Sequence, residues 1–180
     1  MKKLFLILFV GMISLTSNAQ QTRELDEISQ QNSWLKLGLN LGVPIGDLSD
    51  YSKLAFGVEA AAQFMRTDNY GLGITTGYTK YYNKDNASLD GSEKGFGAIP
   101  LGLMFRYYPQ PSGFFAGTDV GYTFFTDFNQ NEGGAYIRPQ LGYHNYNWNV
   151  FAFYNQVFRA DPSIDVQTIG LAVTHNLRFK

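Results

Sequence analysis

The run Trp34-Leu35-Lys36-Leu37-Gly38-Leu39-Asn40-Leu41-Gly42-Val43 decides how this chain is read. Leu35, Leu37, Leu39, Leu41 and Val43 share one parity; Lys36, Gly38, Asn40 and Gly42 share the other. A β-strand turns successive side chains to opposite faces, so the run is a strand with one wholly apolar face and one small or polar face.

Working outward, the same period-two signal recurs in eight stretches: 33–43, 53–65, 70–82, 96–108, 113–126, 135–145, 147–159 and 165–179. Ordinary globular strands run about five or six residues, whereas a tilted strand needs roughly 9–11 to cross a bilayer. These stretches are ten to fifteen residues long. In the third, Tyr70, Leu72, Ile74, Thr76 and Tyr78 alternate with Gly71, Gly73, Thr75, Gly77 and Thr79. In the last, Ile169, Leu171, Val173 and Leu177 alternate with Thr168, Gly170, Ala172, Thr174, Asn176 and Arg178.

A soluble sandwich places large branched residues on the facing sides of its sheets to fill a core. Here the face opposite the apolar one is rich in glycine and polar groups. That suits the crowded inner wall of a narrow barrel whose outer wall meets lipid. Closure also removes the unpaired strand edges that a bilayer would penalise. The expectation is an all-β, eight-stranded antiparallel up-and-down transmembrane β-barrel over 33–180. Links at 44–52, 83–95, 127–134 and 160–164 face outward from the cell, with tight turns at 66–69, 109–112 and 146 on the periplasmic side together with both termini.

Residues 1–19 have the form of a secretory signal peptide: Lys2 and Lys3, an apolar run from Leu4 to Ile13, then Ser17, Asn18 and Ala19. That apolar run is about ten residues, short of the roughly 20 a spanning helix requires. Residues 20–32 are polar and acidic in their middle, and read as a flexible periplasmic leader.

The 180 residues carry 14 Lys+Arg against 15 Asp+Glu and no cysteine. Disulfides, thiolate nucleophiles and thiolate metal sites are therefore excluded. A net charge of -1 gives no basic field for nucleic acid.

Alternation places Lys36, Glu59, Arg106, Asp119 and Arg138 on the inner face, with Asn40, Gln63, Gln140, Asn155 and Gln156 as further inward candidates. Charges there avoid hydrocarbon and can form an ion-pair network that fills a narrow lumen. Several of the aromatic residues, among 12 Tyr, 15 Phe and 2 Trp, lie near stretch ends. Trp34, Tyr81, Tyr82, Tyr107, Tyr108, Phe158 and Phe179, with Phe124, Phe125 and Phe128, are expected to form aromatic girdles at headgroup level.

Signals for chemistry are weak. His144 falls on the inner face near the periplasmic end; His175 falls on the outer face, and its neighbour Thr174 points the other way, so they make a poor base and nucleophile. Asp85, Asp90 and Glu93 in the third link offer oxygens but lack the ordered spacing of a calcium loop. No catalytic residue, metal or cofactor is expected.

The Trp34–Gly42 run, the strand Pro100-Leu101-Gly102-Leu103-Met104-Phe105-Arg106-Tyr107-Tyr108 and the end Ile169–Phe179 resemble the small outer-membrane β-barrel proteins of Gram-negative bacteria. The likeness is to the Bacteroidetes-type barrel domain and, more broadly, to the OmpA transmembrane domain. It implies residence in the outer membrane among its lipids and insertion by the barrel assembly machinery through the C-terminal strand, here ending in Phe179-Lys180 rather than in an aromatic residue. The function it suggests is that of a structural or interaction protein whose loops meet an extracellular ligand or protein. Competing expectations are a narrow small-solute channel, a lipid-modifying enzyme and a soluble periplasmic binder with a lipocalin-like interior.

Overall fold

The computed structural model describes residues 33–65, 69–84, 95–127, 133–159 and 165–178. They form eight strands: β1 (Ser33–Ile45), β2 (Ser52–Met65), β3 (Tyr70–Asn83), β4 (Gly97–Tyr107), β5 (Gly113–Thr126), β6 (Gly134–His144), β7 (Trp148–Arg159) and β8 (Val166–Arg178). One four-residue helix, α1 (Leu48–Tyr51), lies between β1 and β2. The expected signal and leader at 1–32, the third-link oxygens of Asp85, Asp90 and Glu93, and the girdle positions Phe128 and Phe179 lie outside the described residues.

Each strand pairs antiparallel with its sequence neighbour, and β1 pairs with β8, closing the barrel. The register can be traced once around the wall: Leu35 faces Ala62, then Ile74, Leu103, Val120, Ile137, Gln156, Gln167 and finally Ile45. The path leaves β1 at 35 and returns at 45, a stagger of ten residues. With eight strands and ordinary strand spacing and rise, that stagger tilts the strands roughly 40° and sets a backbone radius of roughly 8 Å. Such a tube is just wide enough for its own side chains.

The outer face is apolar around the circumference. Leu39, Val58, Ile74, Leu103, Val120, Leu141, Val150 and Leu171, contributed by all eight strands, are exposed there. An apolar surface of that extent is untenable in water and natural in hydrocarbon. Strands of 11 to 14 residues are long enough to carry it across a bilayer.

Three prolines sit in this wall, Pro44 near the end of β1, Pro100 in β4 and Pro139 in β6, where proline cannot donate to a ladder. The β3–β4 register skips the positions opposite Gly77 and Tyr78, beside Pro100, and the β6–β7 register skips Arg138 and Pro139. At the first gap the Thr76 hydroxyl donates to the Pro100 carbonyl over 2.9 Å, holding the seam from the lipid side.

Candidate functional site

Among the described residues the lumen collects buried charge, and it is built in three levels. At mid-height the inward parity of β4, β5 and β6 brings Arg106, Asp119 and Gln140 together. Arg106 Nη1 donates to Asp119 Oδ1 at 2.7 Å and Gln140 Nε2 to Asp119 Oδ2 at 2.6 Å. Arg106 lies across Gly117, where an added Cβ would sit 2.4 Å from its Cδ, so only glycine leaves room for the guanidinium stem. Across the lumen, Arg138 Nη2 donates to Glu59 Oε2 at 2.8 Å, and Asn40 Nδ2 to the same oxygen at 3.3 Å. The Arg138 guanidinium also stands 4.0 Å from the Phe153 ring centroid, within reach of a cation–π contact. Four of the five charges expected on the inner wall thus form two ion pairs.

The fifth, Lys36, is inward and buried but joins neither acid. Its Nζ donates to Asn176 Oδ1 at 2.9 Å and Asn149 Oδ1 at 3.4 Å, and it stands 5.0 Å from the Trp34 ring. Asn149 in turn donates to Thr174 and Asn176. Asn176 lies on the polar face where the alternation of the last stretch puts it; Asn149 is a lumen residue that the charge-led reading missed, although its parity with Phe151 marks it as inward. Asn155 lines the central cavity as expected. Gln63 and Asn40 are buried, Gln63 accepting from the Tyr108 hydroxyl at 2.8 Å. Gln156 is corrected: adjacent strand residues face opposite ways, so with Asn155 inward it lies on the outer side. It is nonetheless covered there, accepting from Tyr154 and donating to Asp165.

Aromatic residues close both ends of the lumen, and this corrects four girdle assignments. Trp34, Tyr81 and Tyr108 are 2%, 2% and 1% exposed and point inward, as does Phe125. Trp34, Tyr108, Phe115 and Phe151 pack as one cluster near the termini, with His144 held 4.5 Å from the Tyr108 ring. Tyr81 stacks on Phe96 at 4.6 Å near the loops, Phe125 meets Phe96 edge-on, and Tyr81 Oη bonds Thr168 Oγ1 over 3.1 Å. Tyr82, Tyr107, Phe124 and Phe158 are exposed on the outer face as a girdle requires. Tyr70, Phe114, Tyr143 and Trp148 join Tyr107 near the turn end, with Tyr70 and Tyr107 rings 5.1 Å apart.

Between the caps, among the described residues, lie cavities of about 40 and about 20 Å³, both bordered by Glu59, Thr75 and Asp119. By that measure a single water needs roughly 10–15 Å³, so they have room for a few waters and no substrate.

Neither histidine is placed for nucleophilic catalysis. His144 Nε2 contacts the Gln110 carbonyl at 3.1 Å, and Ser112 Oγ donates to the backbone carbonyl of His144, not to its ring. His175 stands edge-on to Trp148 on the outer face, 4.6 Å between centroids. Among the described residues no group of three His, Asp or Glu side chains is arranged to hold a metal ion.

No protein-family model matches the chain and no curated protein is similar to it in sequence. Among solved structures, the attachment invasion locus protein Ail of Yersinia pestis aligns over 83% of this chain and 100% of its own at 13% identity, TM-score 0.54. Neisserial surface protein A aligns over 82% and 97% at 16% identity, TM-score 0.54. The N-terminal β-barrel domain of Pseudomonas aeruginosa OprF aligns over 83% and 100% at 16% identity, TM-score 0.50. The likeness is one of fold: the chain is built as these small outer-membrane barrels are.

Proposed function

We propose that this chain is a non-enzymatic outer-membrane protein that acts through the loops and rims of a closed barrel. The observation that carries the proposal is the filled lumen. Two ion pairs at its centre, aromatic clusters at both ends and cavities of about 40 and 20 Å³ fill the inside among the described residues, which favours a role outside the lumen. What remains for recognition is the surface held up by the rigid wall, which is where loops commonly carry function. The alignment with Ail, of which one structure is a complex with the heparin analogue sucrose octasulfate, supports an extracellular ligand as the object of that surface.

In this reading residues 1–19 direct export, both termini face the periplasm, the assembly machinery inserts the barrel through β8, and outer-membrane lipids surround it. Its lineage is the Bacteroidetes-type group of small barrels. The test is a pair of measurements on the purified protein and on cells. In planar bilayers it should give no sustained openings, and reproducible nanosiemens steps would overturn the filled lumen. On cells, shortening Asn83–Gly95 should abolish capture of an extracellular partner that the intact protein captures. Unchanged capture after every loop at that end was shortened would overturn the loop-based role.

A further inference from the structure

Not all of the loop-end seal of the lumen is part of the wall. Among its members, Leu48 comes from α1, a single helical turn between β1 and β2, and is fully buried against a bowl made by Tyr81, Phe96, Phe125, Val157 and Val166. Ala55, Tyr81, Ala98 and Tyr136 belong both to that cluster and to the border of the 40 Å³ cavity. Leu48 does not itself border that cavity; it packs on the cluster whose inner members do.

Little else secures the turn. From Gly46 to Tyr51 only Leu48 is buried, with Tyr51 half-buried against the same cluster. Asp47 and Asp50 are exposed. Among the described residues, the segment is tied to the rim at its second end, where Lys84 N donates to Tyr51 O at 2.7 Å and buried Ser52 pairs with Asn83 and donates to its Oδ1 at 3.4 Å, contacts that release of the turn would break; Ser49 N to Gly46 O and Asp50 N to Asp47 O are internal to it. Both ends are jointed. Gly46 takes φ +59°, a region that favours glycine, and the β2–β3 register slips at Ser52 to Leu54, leaving Lys53 as a bulge.

We propose that α1 is a removable plug: Leu48 leaves its bowl as a unit with the turn, swinging between Gly46 and the Lys53 bulge, and in doing so opens the polar cavity to the loop side while the cluster at the other end stays shut. Burial of one leucine biases such an equilibrium roughly ten- to 150-fold toward the closed form, so the open form is rare and reachable. The proposal goes beyond the loop-surface role: a partner that drew α1 away would unmask ion-paired residues which the closed barrel hides.

The native chain has no cysteine, so single thiols report cleanly. Three sites are compared on intact cells with a membrane-impermeant maleimide: exposed Lys84→Cys, Ala98→Cys beneath the plug and Thr174→Cys toward the other cap, each with and without Leu48→Ala. Lys84→Cys should label fast in both backgrounds. Ala98→Cys should label slowly and accelerate roughly tenfold or more when Leu48 is shortened, while Thr174→Cys stays unreactive. Ala98→Cys labelling at the same rate in both backgrounds would overturn the plug. So would Thr174→Cys accelerating in step, since that pattern is general loosening. Unreactive Lys84→Cys would instead overturn the outward orientation of this end, and with it the plug's access from outside.

Discussion

Asp119 holds two donors at once, Arg106 Nη1 and Gln140 Nε2, and all three side chains are buried. Removing the carboxylate strands a buried cation and an amide, the circumstance in which breaking a buried pair costs most. Asp119→Ala is therefore expected to lower the unfolding free energy by about 3–5 kcal/mol, measured by urea titration of the folded band. The double change Arg106→Met with Asp119→Leu should cost much less, because it leaves no charge unpaired; equal losses would mean the pair does not act as a unit. Side-chain placement was partly legible in the sequence. Parity assigned all five charges to the inner wall, but it also assigned Trp34 with Lys36, Tyr108 with Arg106 and Tyr81 with Thr79, and there nearness to a strand end suggested a girdle instead. The pleat fixes which way a side chain points regardless of its height, so parity outranks height, and these rings became the lumen's caps.

Strands carry the next set of expectations, because each presents one face to lipid. Leu103, on the outer face midway along β4 and 64% exposed, sits where a charge would meet hydrocarbon. Leu103→Arg is predicted to cost about 2–4 kcal/mol in a lipid-based unfolding assay, whereas the same change in an aqueous-facing position would be nearly neutral. The two tryptophans report the two faces independently, Trp148 exposed at the turn-end rim and Trp34 inside. In Trp34→Phe protein, lipids brominated near the headgroup should quench the remaining Trp148 emission strongly. In Trp148→Phe protein they should leave Trp34 nearly unquenched. Similar quenching of both would contradict the assignment of Trp34 to the lumen. Strand positions were readable because long apolar faces recur with period two, and the limits differ from expectation by one or two residues, as with β1 running to Ile45. Pro100 and Pro139 would each argue against an interior strand. The apolar faces prevailed over them since each proline forfeits only one donor in a wall of long ladders.

For the molecule as a whole, closure is what makes the faces meaningful: it turns eight half-apolar strands into a lipid-facing outside and a filled inside. The ten-residue stagger that fixes tilt and radius was not legible, because it accumulates over eight pairings and no single strand encodes it. The seating of Leu48 was hidden for a similar reason, a short link whose buried side chain finds its partners on β3, β5, β7 and β8 and at Phe96 just ahead of β4 only after the wall has closed. That the closed barrel spans the outer membrane can be checked by separating the membranes of cells that make the protein and running the outer-membrane fraction on detergent gels with and without boiling. The protein should be found in that fraction, and its band should shift on boiling as a detergent-resistant barrel unfolds. Recovery in the soluble fraction, or a band that runs identically before and after boiling, would refute the membrane-spanning barrel.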